Sequence, residues 1–264
     1  MDFTDQIGHT IKLESSPKKI VSLVPSQTEL LAYLGLGKEV AGITKFCIHP
    51  DEWFHSKTRV GGTKNVNFSK IDEINPDLII CNKEENTERD VRQLMKKYPV
   101  WTSDIHNLED ALSMINSIGE ITRTVEMAGN LIHQIRNNFE LIRENKPKPV
   151  KVVYLIWKTP FMAAGKDTFI DFMLSQCNFI NVCNEPLGRY PEISSSQITE
   201  LQPELILLSS EPFPFTEKHL EDFKAQFPKS APVLVDGEYF SWYGSRLLSA
   251  PQYLKRVIEN CFKV

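Results

Sequence analysis

Hydrophobic and polar positions along this chain fall into two alternating signatures. Short, continuous apolar runs appear at 19–23 (KIVSL), 40–43 (VAGI), 78–81 (LIIC) and 100–102 (VWT), and longer stretches of mixed polarity separate them. Runs of that length rich in β-branched residues read as buried strands. The stretches between them carry apolar residues at helical spacing, and this alternation predicts an open, mostly parallel α/β sheet. A further short strand is expected over 9–14. PSQTE at 25–29 turns into a helix reading ELLAYLGLG, for which Ser26 or Thr28 is the expected cap and Gly35 or Gly37 the stop.

The second half reads the same way. Strands are expected at 150–157 (VKVVYLIW), 205–208 and 233–235, with helices over 167–176 and 251–261. One segment occurs twice: I-x-x-INPDLII at 71–80 and I-x-x-LQPELIL at 198–207, about half the chain apart. Each copy reads as an amphipathic turn of helix, a Pro that ends it, and a buried strand. The repeat predicts two similar open-sheet lobes with a ligand cleft between them.

Between the halves, residues 107–146 carry apolar positions at Leu108, Leu112, Ile115, Ile118 and Ile121, with Asn107 as the expected cap and no Pro before Pro147. Gly119 and Gly129 weaken this stretch locally, so it reads as one long rigid helix or as two helices with a bend. KPKP at 146–149 marks its end. The expected organisation is an N-terminal α/β lobe over 1–106, a connecting backbone helix over 107–146 and a C-terminal α/β lobe over 147–264.

The 264 residues suffice for two modest cores, and a net charge of -4 gives no nucleic-acid footprint. The five Cys (47, 81, 177, 183 and 261) are dispersed and lack C-x-x-C spacing, which argues against a disulfide framework or a zinc knuckle; a Cys177–Cys183 bridge remains open. No apolar run reaches the length of a membrane helix, and the opening residues MDFTDQIGHTIKL lack the basic and apolar regions of a signal peptide. Two compartments follow: periplasmic or cell-surface if an export signal has been removed, cytoplasmic if this N-terminus is native.

Ligands in open α/β sheets sit beyond the carboxyl ends of the strands. Polar residues, Gly and aromatics concentrate there: Ser26 and Gln27 after the first strand, KFCIHP after the second, Trp157 and Phe161, Tyr190, and the segment Phe240 to Arg246. Cys47 and His49, two residues apart, can point the same way in an extended loop and share a metal ion; an ordinary polar loop is the simpler reading, and His49 as a ligand contact or axial metal ligand is a third. Trp157 and Trp242 can form flat walls for a large ring system, Arg246 can add a cationic fork, and Phe240 is expected in the core. Glu85 and Glu211 follow the two copies of the repeated segment and read either as symmetric docking carboxylates, one on the tip of each lobe, or as two exposed acids. The acidic run at 84–90 reads as a helix start. There is no G-x-S-x-G, no H-E-x-x-H and no phosphate loop, so no enzyme is expected.

Five stretches carry a resemblance: IVSLVPSQTELLAYLGLG, VGGTKNVNFSKIDEINPDLIICNKEEN, PFMAAGKDTFIDFML, ELILLSSEPFPF and FSWYGSRLL. Together they resemble the periplasmic binding proteins whose lobes are joined by a rigid helical backbone, over residues 9–260, with the nearest likeness to the cobalamin-binding components of import systems. The resemblance implies a monomeric protein that captures a corrinoid or related metal chelate and hands it to an ABC permease and ATPase, with no obligatory cofactor and no obligatory protein ligand to cobalt. It implies ligand contacts from Ser26, Gln27, Trp157, Phe161, Trp242 and Arg246, docking through Glu85 and Glu211, and the GGT loop with Asn65 at the cleft rim. Two alternatives stand beside it: a metallocofactor-binding enzyme or chaperone on the same bilobal frame, and an interaction module whose cleft is filled by side chains.

Overall fold

The structure, a computed structural model, describes residues 1–143, 148–183 and 188–261, and the end of the expected backbone segment at 144–147 lies outside them. The chain divides into two compact units. Unit 1 comprises Met1–Gln134 with Tyr243–Arg246, and unit 2 comprises Ile135–Trp242 with Leu247–Val264.

Unit 1 begins with an antiparallel pair, β1 (Asp2–Thr4) and β2 (Thr10–Lys12). There follow β3 (Ile20–Ser22), α1 (Pro25–Tyr33), β4 (Val40–Ile43), α2 (Asp51–Ser56), β5 (Thr58–Arg59), α3 (Phe68–Ile74), β6 (Leu78–Asn82), α4 (Glu88–Met95), β7 (Val100–Ser103), α5 (Leu108–Thr122) and the first part of α6 (Val125–Arg143). The sheet is wholly parallel with order β5-β4-β3-β6-β7. The chain therefore leaves β3 toward one edge, returns, and builds β6 and β7 on the other side. The turning point of that path lies between β3 and β6, the position at which an open α/β sheet receives a ligand.

Unit 2 contains β8 (Val150–Lys158), β9 (Phe161–Ala163), α7 (Phe169–Gln176), β10 (Phe179–Asn181), α8 (Ser195–Leu201), β11 (Leu205–Ser209), α9 (Glu217–Gln226), β12 (Ala231–Val235), α10 (Glu238–Ser241) and α11 (Ala250–Cys261), and a 3₁₀ turn at Ser245–Leu248 begins in unit 1 and ends in unit 2. Its sheet order is β10-β8-β11-β12, all parallel, with β9 antiparallel on β8. The turning point here lies between β8 and β11.

The repeated segment is the same structure twice. Helix α3 ends on Asn75 with φ 50°, and α8 ends on Gln202 with φ 48°; both residues adopt the left-handed conformation that closes a helix. A Pro follows each, then a fully buried strand. The acid after each Pro performs one task in both units. The Asp77 carboxylate accepts from Lys19 N at 2.9 Å while Asp77 N donates to Lys19 O. The Glu204 carboxylate accepts from Lys151 N at 3.0 Å while Glu204 N donates to Lys151 O. The acid thus fixes where the neighbouring strand, β3 or β8, enters its sheet.

Several expectations change. Helix α1 starts at Pro25 with Val24 as its cap and no side-chain cap bond, so Ser26 and Thr28 lie inside the helix; Gly35 follows its end with φ +75°. Of the two readings of the connecting segment, two helices is the one that forms. Asn107 caps α5 as expected, accepting from Asp110 N, but Arg123 adopts φ 61° and Thr124 N donates back to Gly119 O. Gly119 permits the break: a Cβ there would lie 2.5 Å from the Cβ of Ala128, so only Gly lets the start of α6 fold against α5. Cys177 and Cys183, whose bridge the sequence leaves open, are both buried and not joined by a disulfide.

Candidate functional site

At the turning point of unit 1, the loops after β3, β5 and β6 and the end of β7 are tied together by a buried polar network. Asn86 is its centre. Its side-chain amide donates to Leu23 O at 3.2 Å and to Thr63 O at 3.0 Å, and its Oδ1 accepts from Asn82 N at 2.9 Å. One side chain thereby links the end of β3, the GGT loop and the end of β6. Asn82 extends the network: its Oδ1 accepts from Glu84 N and Glu85 N, and its Nδ2 donates to Ser103 Oγ at 3.0 Å. Neither Asn stood out in the sequence, although an Asn at a strand end and another four residues later, flanking an acidic pair, is the available signal.

The expected contacts of unit 1 occupy different environments. Ser26 and Gln27 are buried in the first turn of α1, and the Gln27 amide donates to Ser103 Oγ. Gln27 Oε1 is enclosed without a protein partner among the described residues, so the first turn of α1 retains one unmet acceptor. Cys47 is fully buried, with Thr28 Oγ1 at 3.1 Å and Thr44 Oγ1 at 3.2 Å from its sulfur, and burial pushes its thiol above the ordinary range. His49 is half-buried two residues further on. The extended loop needed for a shared metal does not form. Cys47 N bonds back to Thr44 O and Ile48 N to Phe46 O, so the loop curls and sends the thiol inward. Among the described residues no three His, Cys, Asp or Glu side chains group as a metal-ligand set.

The same curl turns Phe46 and Ile48 outward, 50% and 45% exposed. Phe46 lies against Gly62 of the GGT loop, where a Cβ would come within 3.1 Å of the ring, and Lys45 Nζ sits 5.0 Å from its centroid. Sequence reasoning passed over these two residues. Their signal is a pair of large apolar side chains on either side of a Cys in a loop after a strand.

At the turning point of unit 2, Trp157 near the end of β8 is 39% exposed. Its indole donates to Thr159 O at 3.2 Å, and its ring meets Phe213 edge-on at 5.7 Å. Phe213 N in turn donates to Ile156 O, which ties the loop after β11 to the end of β8. Half-buried Phe161 packs on Phe223 with centroids 5.5 Å apart, at the rim of an aromatic core. Tyr190 is 37% exposed on a segment pinned beside β9 by Ala163 N to Pro191 O and Gly165 N to Arg189 O. Gly165 is obligatory there, because a Cβ would lie 2.2 Å from Gly188 O.

Three expected roles are corrected. Trp242 is no exposed wall: it is buried, and its indole N–H donates to Glu211 Oε1 at 3.0 Å. Glu211 is no exposed tip. It is half-buried, also accepts from Ser241 Oγ at 2.7 Å, and desolvation raises its pKa above the usual carboxylate range. Arg246 already has a carboxylate, since Nη2 and Nε donate to the two oxygens of Glu29 at 2.7 and 3.2 Å. Glu85 is half-buried with its backbone held by Asn82. Phe240, as expected, is in the core. The acidic run at 84–90 starts a helix, with Thr87 capping α4.

Comparison with known proteins places this geometry. A family model described as periplasmic binding protein matches residues 20–230. The chain belongs to that family. Periplasmic binding proteins are solute-binding rather than catalytic, periplasmic or lipoprotein in character, and work with ABC permease and ATPase components. Among its relatives is the ABC transporter substrate-binding lipoprotein YvrC of Bacillus subtilis, 27% identical over 77% of this chain and 67% of the relative. The fold matches the vitamin B12-binding protein BtuF of Vibrio cholerae, with TM-score 0.82, 19% identity and coverage of 94% of this chain and 99% of that one. It also matches the periplasmic heme-binding protein BhuT in complex with two hemes, with TM-score 0.81, 18% identity and coverage of 94% and 99%. The bilobal, helical-backbone architecture of these periplasmic binding proteins is the architecture of this chain.

Proposed function

We propose that this periplasmic binding protein captures a planar metal chelate of tetrapyrrole type, a corrinoid such as cobalamin first and heme second, and delivers it to an ABC permease. The observation that carries this reading is the placement of large apolar side chains. Phe46 and Ile48 on a loop of unit 1, and in unit 2 Trp157 near the end of β8 and Tyr190 on a loop, are exposed close to strand ends, where an α/β sheet receives its ligand. Exposed aromatics on loops braced by buried hydrogen bonds suit a flat, apolar-faced ligand, because pre-set rings lose little freedom on binding. His49 on the loop after β4, Ser26 and Gln27 in the first turn of α1, and Phe161 in β9 are proposed as flanking contacts.

The corrinoid is placed before heme because relatives in sequence named vitamin B12-binding proteins are 23% identical over 90% of this chain. The relatives' names support both chelates. Docking on the permease is proposed through the loop bearing Glu85, since the carboxylate of Glu211 is turned toward Trp242 and Ser241.

Trp157 makes the test clean, because Trp53, Trp101 and Trp242 are all buried. Cyanocobalamin and hemin are titrated separately into the wild type and Trp157→Phe while intrinsic fluorescence is followed. A saturable quench by one of them, most of it lost in Trp157→Phe, is expected. Absence of saturable quenching by either compound well above micromolar concentration rules the reading out.

A further inference from the structure

We propose that a cavity beside the open edge of the unit 2 sheet is a separate small-molecule site, suited to a flat aromatic body that carries one carboxylate. The cavity holds about 380 Å³, within the range of small-ligand sites, and is lined by β12, α10, α11 and the turn between β12 and α10. All of these belong to unit 2. None of the side chains proposed for the chelate lines it.

One side of the cavity is the last strand of the sheet. Ala231 N donates to Glu204 O, and Ser210 N donates to Val235 O. Alternate residues of β12 therefore face β11, and Pro232 and Leu234 face away from it. Pro232 has no N–H, and the next outward N–H, that of Asp236, donates to Tyr253 Oη at 2.6 Å. Leu234 alone in β12 turns both an N–H and a C=O away from the sheet. An added strand needs a row of such groups, so this edge is closed to strand pairing. A single polar group on a small molecule needs only one.

The walls are flat and apolar. Tyr239 and Tyr253 stack with centroids 4.3 Å apart and planes 12° apart, and the bond from Asp236 N holds the pair at the strand end. Val233 and Val257 complete the apolar lining. Rings held in this way offer an aromatic body a surface at little entropic cost.

The cationic group is Arg256 on α11. Its guanidinium lies 5.9 Å from the centroid of the Tyr253 ring, and among the described residues it pairs with no carboxylate. Asn260 follows one helical turn later and lines the same cavity, so its amide and the Arg256 fork can share one anion. Asp236 lines the cavity too, with Oδ1 accepting from Glu238 N at 3.1 Å and from Ser210 Oγ at 3.5 Å. Its negative charge opposes a dianion, so a single carboxylate suits this cavity better than a phosphate.

Indole-3-acetate is the probe, because it combines a flat ring, an N–H for Leu234 O and one carboxylate for Arg256. Its binding to the full chain is followed by saturation-transfer NMR beside that of neutral indole-3-acetamide, in the wild type, Arg256→Gln, Tyr239→Leu and Trp157→Phe. Saturable binding of the acid with Kd below about 1 mM is expected in the wild type and unchanged in Trp157→Phe. Arg256→Gln is expected to weaken the acid at least about tenfold and to leave the acetamide unaffected. Tyr239→Leu is expected to weaken both compounds about fivefold. Absence of saturable binding of the acid below about 5 mM overturns the proposal. So does equal affinity for the acid in Arg256→Gln, or equal affinity for both compounds in Tyr239→Leu. Loss of binding in Trp157→Phe puts the probe on the rings proposed for the chelate and overturns it as well. Arg256→Gln and Tyr239→Leu probe the charge and the wall separately, so misfolding of one leaves the other decisive. No chelate is present in these titrations, and their outcome is independent of the chelate reading.

Discussion

Replacing Asn86 by Ala is expected to destabilise unit 1 far more than the loss of one surface amide. Asn86 is 4% exposed and satisfies three backbone groups: Asn82 N, Leu23 O and Thr63 O. Truncation leaves a buried N–H without its acceptor and two carbonyls without these donors. An unmet buried group costs about 1–3 kcal/mol, the N–H most of all, so the sum is about 3 kcal/mol. With a urea slope of about 2 kcal/mol per molar, the midpoint of unit 1 falls by about 1.5 M. Urea unfolding followed by fluorescence measures this, with buried Trp53 and Trp101 reporting unit 1. Asn86→Asp separates the roles, because it keeps an acceptor for Asn82 N but sets a carboxylate against two carbonyls, and it is expected to be at least as destabilising as Ala. A midpoint shift below about 0.3 M for Asn86→Ala refutes the view that this side chain braces the loops.

Other outcomes follow from the same contacts. Burial raises the folded-state pKa of Glu211 above its unfolded value, so the native state binds the proton more tightly and stability declines as pH rises through the folded pKa. Glu211→Gln keeps an acceptor for Trp242 and Ser241; it is expected to be at least as stable as the wild type at pH 7 and to flatten the change in urea midpoint between about pH 4 and 7. Equal pH slopes in the two proteins refute that assignment. Alkylation of the native protein at neutral pH is expected to be slow everywhere and to start at half-buried Cys261, whose thiol burial pushes up to about 11, whereas Cys183 is pushed up to about 12 and Cys47 and Cys81 are fully buried. Peptide mapping that finds Cys47 labelled as fast as Cys261 contradicts this. Gly42→Ala places a methyl 2.7 Å from Ile74 Cδ1 and 3.1 Å from Val60 Cγ1, and overpacking of that kind costs about 1–3 kcal/mol. A thermal midpoint equal to that of the wild type shows that the core gives way more easily than these distances imply.

What the sequence determined by itself was periodic or repeated. The buried strands, the intervening helices, the Asn107 cap and the twin segments ending at Asn75 and Gln202 were legible, because apolar spacing and Pro placement act over a few residues. The exposed Trp157 and Tyr190 were legible for the same reason, as aromatics at strand ends. Tertiary structure decided which polar groups met. That Arg246 grips Glu29, that Trp242 turns inward to Glu211, and that Asn86 bridges β3 to the GGT loop depends on residues brought together by the sheet orders from far apart in the chain. Spacing along a chain carries no trace of such partners. A buried hydrogen bond is fixed by angles and distances that exist only once the strands have taken their order, and that order is a property of the whole sheet.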